Sequence, residues 1–320
     1  AGRISSYADI LALKGFARAE GLAAMVEAWE RLIGFAAPDL VIADHSPTLC
    51  LAAYGVIPTA VIGTGFTVPP VHDGRFPPFV REQPPLVAEW LLLEAVQSVQ
   101  LRRKRPMPAS LPGLFDAPLR VVAAFPELDP YRAVRREPVL GPLEPLPSVA
   151  PLPERQRIFA YLGDDHPSLP TIVECLAELR TPSEVYLRGE AGSFRRLLSA
   201  RGVMVHERPP PLEALLPKVS AVLSQAGSAT THAALAAGRP QLCFPLHLEA
   251  ELTATALASL NVGRWVWRGA PKSLIAAELE RVLRDDKLAA NAARMGEFLA
   301  ARTDRDRLGV VTEACLELMG

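Results

Sequence analysis

The sequence predicts an α/β protein made of two parallel-sheet domains. Short apolar runs of strand type alternate with amphipathic stretches along the chain, the signature of repeated strand–helix units with helices on both faces of a parallel sheet. The chain has 320 residues, enough for two domains at roughly 150 residues each. Pro138 to Pro153 (PVLGPLEPLPSVAPLP) holds six prolines in sixteen residues, too many for a helix or a central strand. This places an N-terminal domain at 1–140, a linker at 141–153 and a C-terminal domain with terminal helices at 154–320. Two such sheets joined by one linker form a cleft between domains.

In the first domain, residues 7–35 have helical periodicity, and 39–43 (DLVIA) is an apolar run fit for a buried parallel strand. A helix over 47–54, a strand over 59–62, a helix over 86–103 and a strand over 120–124 (RVVAA) follow. Between them, Pro69 to Pro85 with Gly74 reads as a long irregular loop beside the cleft, mobile without a ligand. After the linker the predicted strands are 157–162, 184–188, 203–206, 221–224 and 241–244. Helices at 169–179, 192–200, 212–216, 229–237 and 249–259 alternate with them.

Composition narrows the function. Lys plus Arg number 34 against 35 Asp plus Glu, so no basic field exists for a nucleic-acid partner. The 49% hydrophobic and 22% charged content is that of an ordinary globular protein. Cys50, Cys175, Cys243 and Cys315 stand far apart without a CxxC pair, which argues against a zinc site or a disulfide framework and fits a reducing compartment. No apolar run approaches the roughly 18 residues of a spanning helix, and no leader pattern opens the chain; a cytoplasmic location is expected. The chain opens at Ala1 inside a helical pattern, without Met or a leading strand, so a preceding segment is expected.

The most informative stretch is 224–255, SQAGSATTHAALAAGRPQLCFPLHLEAELTAT. A strand ends at Ser224, a small-residue turn follows, and a helix begins near Ala229. That order turns backbone N–H groups and the positive helix end toward one point, an arrangement suited to phosphate. Ser228 and Thr230 add hydroxyls. On geometry alone, an ordinary tight turn capped by Ser228 is equally open.

The spacing of Gly227, Thr230, Ala234-Leu235, Gly238, Pro240, Pro245, Glu249 and Ala254 resembles the donor-binding motif of the UDP-glycosyltransferase-like family of GT-B glycosyltransferases. FPELDP at 125–130, Gly141-Pro142 and residues 210–215 match smaller landmarks. The resemblance implies the GT-B fold, two Rossmann-like doubly wound parallel-sheet domains facing across a cleft, and the terminal helix pair is expected to pack back on the N-terminal domain. It implies an inverting, metal-independent transfer of a sugar from a UDP- or dTDP-sugar donor to a hydroxyl of an apolar, lipid-like or natural-product acceptor, with no cofactor. It further implies that Gly227, Ser228 and Thr230 hold diphosphate with help from Gln225, and that Glu249 and His247 contact the sugar. Arg208 takes the base, and Gly163, directly after the first predicted strand of the second domain, joins this donor set. Asp44 takes the place of the carboxylate that orients a catalytic histidine, whose own segment the resemblance places upstream of Ala1. Read without the family, Asp44 is a helix cap or a solvated turn residue.

Departures from the pattern matter. The family histidine at the phosphates is Gln225, which cannot carry charge; the first motif glycine is Ala226; the glutamine partner of Glu249 is Ala250; and a carboxylate, Asp164, stands where a Ser or Thr usually follows the first strand. These departures motivate a second reading, a non-catalytic nucleotide-sugar-binding protein or inactive partner subunit. None of His45, His72, His166, His206, His232 and His247 stands at a metal-ligand spacing; His45 adjoins Asp44, and His232 reads as a packing or surface residue. GTGF at 63–66 opens the proline-rich loop. The basic run Arg102 to Arg105 closes a helix containing Trp90, Leu91 and Leu92, favourable to the helix dipole, with peripheral membrane contact as the alternative.

Overall fold

The structure, a computed structural model, describes residues 4–79, 83–302 and 306–320. The chain forms two compact units, Ala1–Leu143 with Asp306–Gly320, and Glu144–Arg305.

The first unit opens with helix α1 (Tyr7–Leu11), capped by Ser6, whose Oγ accepts from the Ala8 amide. The single helix expected over 7–35 is interrupted: Ala12–Phe16 forms a wider turn in which Gly15 adopts φ +96°, and α2 runs over Ala19–Ala36. Glycine alone takes that backbone conformation without strain. Then come β1 (Val41–Asp44), α3 (Pro47–Ala53), β2 (Thr59–Gly63), α4 (Glu89–Arg103) and β3 (Leu119–Val122). The strands form a parallel sheet in the order β1-β2-β3, with Asp44 paired to Ile62 and Gly63 to Val122. Asp44 and Gly63 therefore lie together at the carboxyl edge.

No strand or long helix forms over 64–79 or 83–88, as the prolines require. The described part is nonetheless anchored: Phe76 is buried against Tyr7 and Phe115, and Phe66 stacks on Phe79. Val80 to Glu82 of the expected loop lie outside the described residues. In the FPELDP segment, buried Asp129 pairs with buried Arg135, whose Nη2 donates to the carbonyls of Gly65 and Val68 at 3.0 and 2.9 Å. This segment clamps the turn after β2. Within the basic run, Arg103 points inward, donating to Glu30 and to the Leu51 and Ala52 carbonyls, and Lys104 closes α4 in the left-handed region. Arg103 thus serves packing rather than an exposed basic face.

The second unit contains β4 (Ile158–Gly163), α5 (Leu169–Glu178), β5 (Ser183–Arg188), α6 (Gly192–Ala200), β6 (Met204–His206) and α7 (Leu212–Leu215). It continues with β7 (Ala221–Ser224), α8 (Ser228–Ala236), β8 (Gln241–Cys243), α9 (Leu248–Ser259), β9 (Gly263–Trp265), α10 (Lys272–Arg284) and α11 (Asp286–Ala300). All strand pairings are parallel, in the order β6-β5-β4-β7-β8-β9. The chain winds outward from β4 in one direction, returns to β7 beside β4, and winds outward in the other. Ligands of open α/β sheets bind where the winding reverses, outside the carboxyl ends of the strands. Here that point lies between Gly163 and Ser224.

Helix α12 (Arg307–Glu317) packs Val311 and Cys315 onto Ala60 and Val121 of the first unit, whereas α11 stays with the second. The proline-rich segment is not a free tether. Leu140 donates to the Val122 carbonyl in the first unit, and in the second Glu144 meets buried His232 at 2.7 Å while Pro151 accepts from Arg239. The four cysteines are buried and unbridged.

Candidate functional site

The turn between β7 and α8 is built from Ser224 to Ser228. Ser224 Oγ accepts from the Ala226 amide at 3.1 Å, and Ala226 takes the left-handed conformation, φ +59°. Gly227 then begins α8 with an ordinary extended backbone, φ −67° and ψ 144°, and nothing lies within 4 Å of where its side chain would project. The first N–H groups of α8 have no partner inside their own helix, and Gly227, Ser228 and Ala229 around them are exposed. Thr230 is buried in the first turn, whereas Gly227 and Ser228 are exposed.

Across the winding reversal, β4 ends at Gly163. A methyl group there would collide with the Asp165 carboxylate and approach Arg188 Nη2 at 2.9 Å and Gln225 Oε1 at 3.1 Å. Side chains following β4, ending β5 and following β7 thus converge over one glycine. Asp164, the carboxylate whose charge conflicts with phosphate, is turned aside: its Oδ2 accepts from the Glu190 amide at 2.6 Å, in a turn where Gly189 takes φ +84°. The carboxylate beside Gln225 is Asp165 instead, 3.4 Å from Gln225 Nε2. The sequence places Asp165 directly after Asp164, and it is the second carboxylate that lies here; Arg188 was missed, and the available signal was that it ends a predicted strand.

His166 follows, buried, its Nδ1 accepting from the Ser168 amide at 3.1 Å. Burial lowers its pKa. At the next turn His247 caps α9, its Nδ1 accepting from the Ala250 amide. That nitrogen is engaged by the backbone, and the residue is exposed, so Nε2 is the nitrogen left for a ligand. Glu249 occupies the first turn of α9, and Ala250 is buried. Arg208 is exposed just beyond β6. A cavity of about 540 Å³ lined by Asn261, Arg264, Trp265, Glu278 and Asn291 shares no residue with this set, and its Arg264 and Glu278 are already paired. The winding reversal is the better site because its backbone donors are unspent.

No family model matches the sequence, and no curated protein matches it. Solved structures do. The spinosyn rhamnosyltransferase SpnG complexed with spinosyn aglycone aligns with a TM-score of 0.65 at 17% identity, over 92% of this chain and 79% of that one. The glycosyltransferase VinC in complex with dTDP aligns at 0.64 and 17%, over 94% and 79%, and a calicheamicin glycosyltransferase at 0.63 and 21%, over 93% and 80%. The fold is GT-B. In GT-B terms the six-stranded sheet is the C-terminal Rossmann-like domain, and the β7–α8 turn stands at its winding reversal.

Asp44 belongs to the other GT-B domain. It is exposed at the end of β1, with Oδ1 3.2 Å from where a Gly63 side chain would begin. His45 takes φ +44°, and its ring stands 6.3 Å from those of Tyr7 and Phe66. The structure therefore gathers Gly163, Gln225, Gly227 and Ser228 at one strand edge, with Thr230 behind them. Glu249 and His247 sit at the next turn, Arg208 beyond β6, and Asp44 on the first sheet. Among the described residues, no helix is long and apolar enough to cross a membrane, and no group of three His, Cys, Asp or Glu is placed to hold a metal ion.

Proposed function

We propose that this chain transfers a sugar from a UDP- or dTDP-sugar to a hydroxyl of an apolar small molecule, inverting the anomeric centre without a metal. The observation that carries the reading is the β7–α8 turn: unspent backbone donors and an open glycine at the winding reversal of a GT-B sheet. The solved relatives named above include one bound to dTDP and one bound to an aglycone, which supports a nucleotide donor and a small-molecule acceptor. In this reading the N–H groups at the start of α8 and the hydroxyls of Ser228 and Thr230 hold the diphosphate, stabilising the charge that develops on the leaving group. Glu249 accepts hydrogen bonds from sugar hydroxyls, His247 Nε2 meets the sugar, and Arg208 stacks its planar guanidinium on the base. Asp44 orients and stabilises a protonated base on the acceptor side.

The test is turnover of UDP- and dTDP-sugars with hydroxylated apolar aglycones, read by nucleotide release and product mass. Turnover that survives EDTA, with the opposite anomer in the product by NMR, is expected. Asp44→Asn in the complete protein, with the segment expected upstream of Ala1, should lower kcat by ~10²-fold or more with nucleotide affinity unchanged; wild-type turnover would remove Asp44 from the mechanism. The Asp165 carboxylate beside uncharged Gln225 favours a second reading, a nucleotide-sugar-binding protein without turnover. Tight nucleotide binding with no product from any acceptor would select it.

A further inference from the structure

The β7–α8 turn has a charge deficit. Gln225, Ser228 and Thr230 are neutral, and the helix end contributes only about half an elementary charge, against a diphosphate carrying two or more. A cation that meets Gln225 over Gly163 is Arg188. It ends β5 and reaches back over Gly163, where Nη2 lies 3.4 and 3.3 Å from the two Asp165 oxygens.

Resting on the donor-site reading above, we propose that Arg188 is a diphosphate-binding residue of this site and that Asp165 holds it until nucleotide arrives. Three observations carry this. First, Asp165 receives from Arg188 and Gln225 the donor set that a phosphate oxygen would use, a guanidinium and an amide on one anion. Second, the pair is built to exchange. Only one guanidinium nitrogen is engaged with Asp165, both distances are long, and the side chains are 57% and 50% exposed; such exposed pairs contribute little to stability. Third, the neighbouring carboxylate behaves otherwise. Asp164 is fixed on the Glu190 amide, so of two adjacent aspartates one shapes the loop and the other is released at little cost.

On binding, phosphate oxygens replace Asp165 on Arg188 Nη2 and Gln225 Nε2, and the Asp165 carboxylate turns to water. No covalent bond is made or broken. Asp165 therefore limits affinity for the diphosphate and leaves affinity for the nucleoside unchanged.

The experiment titrates UDP, dTDP, uridine and inorganic pyrophosphate calorimetrically into the parent chain, Asp165→Asn, Arg188→Gln, Arg188→Lys and the Asp165→Asn/Arg188→Gln pair, with thermal unfolding of each to verify folding. Arg188→Gln should weaken UDP and pyrophosphate by about tenfold, the loss of one charged hydrogen bond, with uridine unchanged, and Arg188→Lys should lose less. Asp165→Asn should tighten UDP and pyrophosphate by roughly three- to tenfold, a gain that shrinks in the double variant. UDP affinity unchanged in both single variants, while the parent binds, overturns the inference and leaves the donor site standing. Equal weakening of uridine and UDP in Arg188→Gln also overturns it. If none of the five proteins binds any of the four ligands at millimolar concentration, the donor-site reading itself fails, and the inference with it.

Discussion

Replacing Gly227 by valine separates folding from binding. At φ −67° and ψ 144° the backbone is one that any residue adopts, and no atom lies within 4 Å of the new Cβ. The folding cost is that of exchanging Gly for a poorer N-cap residue, up to about 1 kcal/mol, or a fall in Tm of about 2–4 °C for a domain of this size. The space entered is where the diphosphate must approach backbone N–H groups. Losing two hydrogen bonds to a charged group costs about 3–6 kcal/mol, a factor of roughly 10² to 10⁴ in Kd. Calorimetric titration of UDP and dTDP, paired with differential scanning calorimetry, reads both quantities. Unchanged nucleotide affinity in a folded Gly227→Val chain would refute a phosphate at this turn.

Other predictions concern the frame around the site. Arg239 is fully buried, and its guanidinium donates to the carbonyls of Leu216, Pro151 and Pro217 with no carboxylate among these bonds; burial lowers its pKa to about 10. Three charged hydrogen bonds outweigh that desolvation, so Arg239→Met should lose about 3 kcal/mol in urea unfolding, and a loss under 1 would show the bonds to be weak. Ala226 sits at φ +59°, so Ala226→Gly should gain about 0.5–1 kcal/mol through relief of left-handed strain, visible as a higher urea midpoint. For His166, whose pKa burial lowers from 6.5, the unfolded chain takes up its proton first as pH falls. Its stability contribution is present above about pH 6.5 and is lost as pH falls toward the folded pKa. The acid slope between pH 7 and 5 should flatten in His166→Asn; an unchanged slope would assign it to other groups.

The alternation of strands and helices was legible because parallel strands are buried on both faces, so runs such as 158–160 and 221–223 are apolar without a break. The β7–α8 turn was legible too, since a glycine and hydroxyl residues between a strand and a helix have few other uses. The partnerships were not. Which of Asp164 and Asp165 faces Gln225 depends on the turn after β5, where Gly189 takes φ +84° and offers the Glu190 amide to Asp164. Asp165 and Arg188 are 23 residues apart, joined by strand pairing rather than by local spacing. The break at Gly15 is hidden because the apolar periodicity continues on both sides of it. Which of the terminal helices returns to the first unit was not legible: α12 does, because its Val311 and Cys315 match the first sheet, while α11 stays with the second unit.

The central claim is that the β7–α8 turn holds the donor diphosphate. A crystal structure of the full chain with UDP or dTDP tests it most directly. The account predicts both phosphates within hydrogen-bond distance of the N–H groups at the start of α8, above Gly227, with Arg188 moved from Asp165 to a phosphate oxygen. Nucleotide bound elsewhere on the sheet, with the turn empty, would contradict it.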